Sequence, residues 1–230
     1  IQDEILMQYN KGIEYYNEEK YSKAKDAFQY VILHSTGSRL ALESEFYLAE
    51  SLYNMGDYFE ALYSYDNYAR SSPNIKLIEL SRYKICKCSY KLSADYKKDQ
   101  STTTDALNKI EIFLEDYPES EYLDSILISI DELRNKLANK LYQTGILYIK
   151  MEEYESAKIA FQDAIDKFYD TEIIHKINQG LVIASAKNFE IKEAIEILTK
   201  NENSLKENNL YEEAYLSINN SKKLLNKRNQ

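Results

Sequence analysis

Adjacent carboxylates are the residues of this chain whose type and spacing could most readily do chemistry. Glu18 lies beside Glu19, and Glu152 lies beside Glu153. Paired carboxylates can act as general acid and base when the fold holds them at a substrate. Each pair, however, separates two segments with helical spacing of apolar residues, where acids stabilise the N-terminus of the following helix. We therefore interpret both pairs as structural features of turns.

The cysteines and histidines are too few to predict a metal or redox site. Cys86 and Cys88 are two residues apart, so in a helix their side chains point to different faces and cannot bridge each other. A C-x-C pair also supplies too few ligands for structural zinc. His34 and His175 are far apart in sequence. There is no Gly-rich phosphate loop, H-E-x-x-H or G-x-S-x-G motif either, so we predict a non-enzymatic protein without metal or cofactor.

Composition limits the partner and the fold. The 230-residue chain carries a formal net charge of −9, which repels phosphate backbones, so we expect no nucleic-acid partner. Five glycines and two prolines are too few for turn-rich sheets and favour long helices. The 22 tyrosines suit thin helical layers in which core and surface lie close together, although a codon preference explains them equally well. No apolar run is long enough to span a membrane.

A repeated pattern positions these residues. It is clearest in residues 54–73, NMGDYFEALYSYDNYARSSP, which resemble the second half of a tetratricopeptide repeat. Gly56 is expected to end one helix in the left-handed conformation. Asp57 and Glu60 are expected to cap the next helix reciprocally. Ala61 is small where the two helices cross, and Pro73 stops the second helix.

The same offsets recur along the chain. Two copies match closely, and two weaker copies centre on Ala106 and Ala194. The closely matching positions are Gly12, Tyr15, Tyr21, Ala24, Phe28 and Val31 in the first copy, and Gly145, Tyr148, Tyr154, Ala157, Phe161 and Ala164 in the later one. The unit is about 34 residues in this repeat class. The outer copies are almost regularly spaced, whereas the middle of the chain carries insertions.

The insertions and the tail complete the predicted architecture. Residues 93–104 are polar and predict a loop that ends at a helix N-terminus. Residues 119–136 have helical spacing and predict one long helix with Ser120 as its N-cap. Residues 204–228 predict a final capping helix, which a solenoid needs over its last open face. The fold class is therefore all-α, a right-handed superhelical solenoid of about five tetratricopeptide-like helix pairs with a C-terminal capping helix.

Resemblance to this repeat class implies that the first helix of each unit lines a concave wall. The side chains expected there are aromatic, acidic and amide groups with one aliphatic residue: Tyr9, Ile13, Tyr16, Asn17, Glu43, Phe46, Glu50, Tyr53 and Asn54. Such a wall suits an extended peptide with aromatic side chains. The alternative is that each aromatic residue only packs between helices. Because Glu43 and Glu50 are acidic, we expect the wall to repel a C-terminal carboxylate.

The middle of the chain resembles one family in particular. Asp99-Gln100 lies in the insertion, and Tyr117-Pro118-Glu119-Ser120-Glu121-Tyr122 forms a Tyr-Pro-x-Ser-x-Tyr segment. Together with the long helix and the repeat that follows, these features are similar to the BamD family of outer-membrane-protein assembly lipoproteins. The likeness covers residues 9–171. The remaining residues match only in the helical spacing of their apolar residues.

This resemblance implies a place in the cell and two partners. The protein would be acylated on a cysteine upstream of Ile1 and held at the periplasmic face of the outer membrane. The first repeats, in residues 1–118, would receive unfolded outer-membrane proteins. Residues 119–230 would dock the periplasmic domains of the barrel-forming assembly subunit. The side chains implied for docking are Tyr148, Lys150, Met151, Glu152, Glu153 and Ala160, although family members can carry arginine where Met151 and Ala160 stand.

Two functions thus remain open. The first is a non-catalytic lipoprotein scaffold of barrel assembly. The second is a soluble tetratricopeptide adaptor for envelope maintenance or secretion without a barrel partner. The chain starts at Ile1 rather than Met, which predicts a preceding segment, and a lipobox there would favour the first function.

Overall fold

A computed structural model describes residues 2–228, which form twelve helices and no strand. The predicted all-α class of tandem helix pairs is confirmed. The helices are α1 (Gln2–Asn17), α2 (Tyr21–His34), α3 (Arg39–Met55), α4 (Tyr58–Ser71), α5 (Ile75–Leu92), α6 (Ser101–Asp116), α7 (Leu123–Lys150), α8 (Tyr154–Phe168), α9 (Ile174–Lys187), α10 (Ile191–Lys200), α11 (Glu202–Glu207) and α12 (Tyr211–Arg228). None of them is long and apolar enough to cross a membrane.

The chain divides into two compact units. The first contains the described residues up to Ala94 together with residues 99–130, and the second contains residues 95–98 and the described residues from Asp131 onward. The division falls within α7. Compactness does not report which half binds a partner, so the predicted functional division between residues 118 and 119 stays a prediction.

In the first unit, α1 packs on α2, α3 on α4 and α5 on α6, and successive pairs also pack on each other. The repeat positions form its core. Ala24, Phe28, Ala61, Tyr65 and Ala106 are completely buried. The small alanines allow the two helices of a pair to approach closely, and the aromatic side chains fill the space beside them.

Two helices of the second unit pack tightly around an aromatic ring. Phe161 on α8 is completely buried. A Cβ atom added to Gly145 on α7 or to Gly180 on α9 would lie 2.5 Å from its ring. The sequence pattern included Gly145 and Phe161, but Gly180 was not part of it. Both glycines are required because the ring occupies the space that a side chain would need.

Five helix–turn–helix connections share one geometry. Glu19, Gly56, Glu152, Phe189 and Asn209 have φ angles between 58° and 85°, in the left-handed region. In each turn the amide of the next residue donates to the carbonyl five residues earlier, at 2.8–3.0 Å. This bond satisfies an open carbonyl at the helix end. The predicted left-handed Gly56 is confirmed, and the acidic pairs at residues 18–19 and 152–153 lie at turns as predicted.

The predicted capping box at Asp57 is wrong. Asp57 precedes α4, but its side chain makes no capping hydrogen bond and its backbone has φ −80° and ψ 59°, outside the extended region that favours capping. The Asp57 amide donates to the carbonyl of Leu52 at 3.0 Å. Because that amide is already satisfied, Glu60 has no open donor to cap.

The insertion boundaries also differ from the prediction. Helix α6 begins at Ser101, so the last four residues of the predicted 93–104 loop are helical. The carboxylate of Asp99 accepts from the Ser101 amide at 2.9 Å, which fixes the chain at the start of this helix. The predicted long helix is confirmed as α7, but it begins at Leu123. Ser120 therefore precedes the helix and is not its N-cap.

The C-terminal segment is interrupted. Residues 204–207 belong to α11, and the helix expected to run from residue 204 begins only at Tyr211. The break lies at the left-handed Asn209. Ala214 and Ile218 on α12 are buried in a cluster with Val182, Leu198 and Leu205, so α12 covers α9 and α10 as a capping helix would.

Candidate functional site

Glu50 is the centre of the predicted concave wall. The residue is only 9% exposed, and its carboxylate receives donors from three helices. The hydroxyl of Tyr16 on α1 donates to Oε2 at 3.3 Å, and that of Tyr65 on α4 donates to Oε1 at 2.6 Å. The Lys84 ammonium on α5 lies 3.0 Å from Oε1 and 3.1 Å from Oε2. We call Tyr16, Glu50, Tyr65 and Lys84 the Glu50 cluster.

Tyr9 and Glu43 repeat the tyrosine–glutamate contact about two helical turns earlier on α1 and α3. The Tyr9 hydroxyl on α1 donates to Oε2 of Glu43 on α3 at 3.0 Å. The guanidinium of Arg39 donates to the other oxygen at 2.7 Å, although its own side chain is 90% exposed. Tyr9 and Glu43 are 34 residues apart, as are Tyr16 and Glu50. The two contacts therefore follow the repeat period.

Burial and the glutamates keep these tyrosines protonated. Burial, and then the hydrogen bond to Glu43, raises the pKa of Tyr9 to about 12. Burial, and then the charge of Glu50, raises the pKa of Tyr16 to about 12. The same two causes raise the pKa of Tyr65 well above its usual range. Each hydroxyl is thus fixed as a donor, because an ionised phenolate beside a carboxylate would be repelled.

Lys84 was missing from the predicted wall. It pairs with Glu50, and its ammonium also lies 4.5 Å from the centre of the Tyr53 ring, within the range of a cation–π interaction. Lys84 is 34 residues after Glu50. The repeat period could therefore have identified Lys84 from the sequence, since the residue one period after Glu50 lies on the equivalent helix of the next repeat.

Two cations change the electrostatics that the sequence predicts for the wall. The predicted repulsion of a carboxylate requires that Glu43 and Glu50 are uncompensated acids. Arg39 pairs with the first and Lys84 with the second, so each negative charge has a neighbouring positive one. Repulsion of an incoming carboxylate at these two positions no longer follows.

The other predicted wall residues divide into two groups. Phe46 and Ile13 are half-buried, and the Phe46 ring lies 5.2 Å from that of Tyr68, a core residue. Asn17 and Asn54 are exposed. The side-chain amide of Asn54 donates to the backbone carbonyl of Glu50 at 2.8 Å, which leaves its oxygen able to accept from a ligand. The exposed amides, more than Phe46, are the groups that a peptide can reach.

The predicted docking residues surround the turn between α7 and α8. Tyr148 is half-buried and packs against the core of the second unit. Ala160 is only 8% exposed, so it offers little surface. The exposed members are Lys150, Met151, Glu152 and Glu153. The structure thus places five of the six near one turn and Ala160 two helical turns further along α8.

The Tyr-Pro-x-Ser-x-Tyr segment contacts α5 through hydrogen bonds and a stacked pair of rings. The Ser120 hydroxyl donates to the Glu79 carboxylate on α5 at 2.6 Å. The Tyr122 ring stacks on Tyr83 with centres 4.3 Å apart and planes at 13°. The Tyr83 hydroxyl is 2.9 Å from that of Ser125. These contacts fasten the connection between α6 and α7 to α5.

The fold consists of helix pairs in which glycines pack against aromatic rings and left-handed turns join the helices. Side-chain contacts along the wall recur every 34 residues. These features define a tetratricopeptide-type repeat protein. The sequence matches the model of a family described as YfiO, outer membrane lipoprotein, over residues 2–205. The chain belongs to this family. The predicted resemblance is confirmed, and it extends further towards the C-terminus than the predicted residues 9–171.

Two curated relatives are named outer membrane protein assembly factor BamD. The protein of Rickettsia prowazekii (strain Madrid E) is 26% identical over 167 residues, covering 73% of this chain and 66% of the relative. That of Caulobacter vibrioides (strain ATCC 19089 / CIP 103742 / CB 15) is 23% identical over 167 residues, covering 73% and 55%. The aligned part thus spans less than two thirds of either relative.

Solved structures with similar folds include two repeat proteins. The TPR2AB domain of yeast Sti1, in a complex with pHSP90, has a TM-score of 0.48 at 15% identity, over 98% of this chain and 85% of that one. MamA of Desulfovibrio magneticus RS-1 has a TM-score of 0.40 at 19% identity, over 86% and 93%.

Proposed function

We propose that this protein is a non-catalytic, lipid-anchored scaffold of outer-membrane protein assembly at the periplasmic face of the outer membrane. The observation that carries the proposal is the family match over residues 2–205. The names of the two relatives, both assembly factors, supply the process. The predicted partners are unfolded outer-membrane proteins and the periplasmic domains of a barrel-forming subunit.

The substrate is assigned to the wall of the first unit. Its exposed amides, Asn17 and Asn54, are suited to the backbone of an extended peptide, which presents both donors and acceptors. The Glu50 cluster holds α1, α3, α4 and α5 together through one carboxylate. A wall that is already ordered loses little conformational entropy on binding. We therefore describe the proposed substrate site as a preorganised surface with exposed polar side chains.

The barrel-forming subunit is assigned to the turn between α7 and α8. Lys150, Met151 and Glu153 are exposed there, and Met151 is 59% exposed. An exposed methionine surrounded by both signs of charge is suited to a small apolar anchor with a polar rim. Ala160 is excluded from the proposed contact surface because it is buried.

Affinity purification tests the process. The full-length natural precursor, tagged at its C-terminus, should be recovered from detergent-solubilised envelopes with an outer-membrane barrel protein. Labelling with radioactive palmitate should mark the same protein. Recovery of soluble partners alone, without lipid label, would overturn the proposal in favour of the soluble adaptor.

Paired substitutions test the two surfaces. Asn17→Ala with Asn54→Ala should weaken binding of an unfolded outer-membrane protein and leave the barrel subunit bound, whereas Asn67→Ala, an exposed amide on α4, should change neither. Lys150→Glu should weaken recovery of the barrel subunit only. Its matched control is Lys76→Glu, an exposed lysine on α5. Equal effects of a test variant and its control would contradict the corresponding surface.

A further inference from the structure

Glu45 on α3 is a half-buried acid to which the fold gives no partner. Its Oε2 atom is buried without a hydrogen-bond donor, and no cation pairs with its carboxylate among the residues that the structure describes. The two other glutamates of α3, Glu43 and Glu50, are both paired with cations. Buried polar atoms in native proteins are nearly always paired. Glu45 is therefore a candidate site for a partner from outside the chain.

The negative charge of Glu45 is not compensated by the nearest cation on its helix. Arg39 directs its guanidinium to Glu43. Burial raises the pKa of Glu45 above its ordinary value, with no opposing contribution from a neighbouring charge. Burial without a partner disfavours the ionised carboxylate. A cationic ligand would offset that cost and form a charge-assisted hydrogen bond.

Glu45 lines a cavity of about 580 Å³ in the first unit. Ala41 and Leu42 on α3, and Pro73 between α4 and α5, give this cavity apolar walls. Its volume lies within the range of about 300–1,000 Å³ that is usual for small-ligand sites. None of the predicted wall residues lines it. It is therefore a site separate from the proposed substrate surface.

The lining selects the kind of cation. A metal ion needs several ligands, and the described part of the chain holds no group of three acidic, histidine or cysteine side chains that could bind one. The burial of Oε2 leaves Oε1 of Glu45 for a ligand. A guanidinium group is best matched by two carboxylate oxygens, whereas an ammonium group is a point charge that one oxygen can serve. Apolar walls suit the methylene groups of an alkyl stem.

We propose that this cavity binds a primary alkylammonium group. The ammonium pairs with Oε1 of Glu45, and the methylene groups lie against Ala41, Leu42 and Pro73. A lysine side chain of a partner protein and a free alkylamine share this chemistry. The site does not depend on the proposed role in membrane-protein assembly.

Methyl NMR on the full chain tests the site directly. Alanine and leucine methyl groups are labelled, and the protein is titrated with the acetylated, amidated tripeptide Gly-Lys-Gly, with its norleucine counterpart or with pentylamine. The expected result is saturable shifts of the Ala41 and Leu42 signals and no shift of Leu216, which is 56% exposed on α12. The lysine peptide should bind about tenfold more tightly than the norleucine peptide, because only lysine carries the charge.

The two cationic probes distinguish the sources of the group. Tighter binding of the lysine peptide than of pentylamine would assign the site to a protein segment, and the reverse order would assign it to a free amine. Both orders support an alkylammonium site. Absence of shifts at Ala41 and Leu42, or equal binding of the lysine and norleucine peptides, would overturn the proposal.

A neutral variant separates ligand binding from a structural role. Glu45→Gln should remove the preference for lysine over norleucine, whereas Glu60→Gln, at an exposed acid on α4, should keep it. Without a ligand, Glu45→Gln should be no less stable than the wild type in urea, because no partner is lost. A fall in stability would show that the chain already supplies a partner. That result, or a preference that survives Glu45→Gln, would also overturn the proposal.

Discussion

The Lys84 ammonium on α5 lies 3.0 Å from the carboxylate of Glu50 on α3, which precedes it by 34 residues. The same interval separates Glu50 from Tyr16. A single buried carboxylate thus connects equivalent positions of three consecutive repeats. Packing between repeats is usually described in terms of apolar layers, but here it also includes one charge and its donors.

Breaking this cluster should destabilise the first unit. In Glu50→Gln, Lys84 loses its carboxylate in a largely buried site, so the free energy of unfolding should fall by about 1–3 kcal/mol. Lys84→Met should cost less, because Tyr16 and Tyr65 still donate to Glu50. Urea unfolding of both single variants and the double variant measures the coupling between the two residues.

An exposed pair provides the control for that cycle. Lys206 and Glu202 on α11 form an ion pair at i,i+4 with about half of each side chain exposed. Their coupling should be only about 0.3–0.5 kcal/mol. If the Glu50–Lys84 coupling were no larger, the cluster would not hold the repeats together.

The buried tyrosines predict a loss of stability at alkaline pH. The pKa of Tyr16 rises from 10.0 to about 12 in the folded protein, so the folded state binds more protons than the unfolded state between these values. The stability that this hydroxyl contributes is complete below pH 10 and declines as the pH rises towards 12. Urea midpoints measured from pH 8 to 11.5 should therefore fall.

A phenylalanine substitution identifies the source of that decline. Tyr16→Phe removes one of the ionising groups and should make the pH profile less steep, even though it loses a hydrogen bond at neutral pH; Tyr9 and Tyr65, whose pKa values are also raised, keep the rest of the decline. Tyr63→Phe, at a 56% exposed position on α4, should keep the wild-type slope. Identical slopes for the two variants would contradict the role given to Tyr16.

Gly145→Ala should destabilise the second unit, because the new methyl group would lie 2.5 Å from the Phe161 ring. Overpacking of this kind costs about 1–3 kcal/mol, partly offset by the better helix propensity of alanine, about 1 kcal/mol. Thermal unfolding measures the net loss. Adding Phe161→Leu should recover part of it, whereas Gln143→Ala, at an exposed site on the same helix, should change stability by less than about 0.5 kcal/mol.

Glu152→Gly should stabilise the protein. Glu152 has φ 62°, a conformation that costs an L-residue about 1–2 kcal/mol, and glycine adopts it freely but loses about 0.5–1 kcal/mol of chain entropy. A net gain of about 0.5 kcal/mol is expected in chemical denaturation. The neighbouring change Glu153→Gly, at φ −87°, relieves no strain and should lower stability, so a gain there would refute the explanation.

The sequence predicted most of the fold because the repeat encodes local requirements. Gly56 provides the left-handed conformation at a helix end, and Ala61 provides the small side chain where two helices cross. Both roles were predicted correctly. The capping box at Asp57 failed, since a backbone bond to Leu52 had already satisfied its amide. The wall was predicted in part, because a periodic offset shows which residues share a face but not which donors reach them.

The sequence by itself determined the helical repeat class, the family and the absence of recognisable catalytic motifs, because these depend on residue types at fixed intervals. Only the tertiary structure decided that Lys84 neutralises Glu50 and that Gly180 joins Gly145 around Phe161. These features arise where separate helices meet. Their geometry depends on distances between residues far apart in the chain, and no local pattern specifies it.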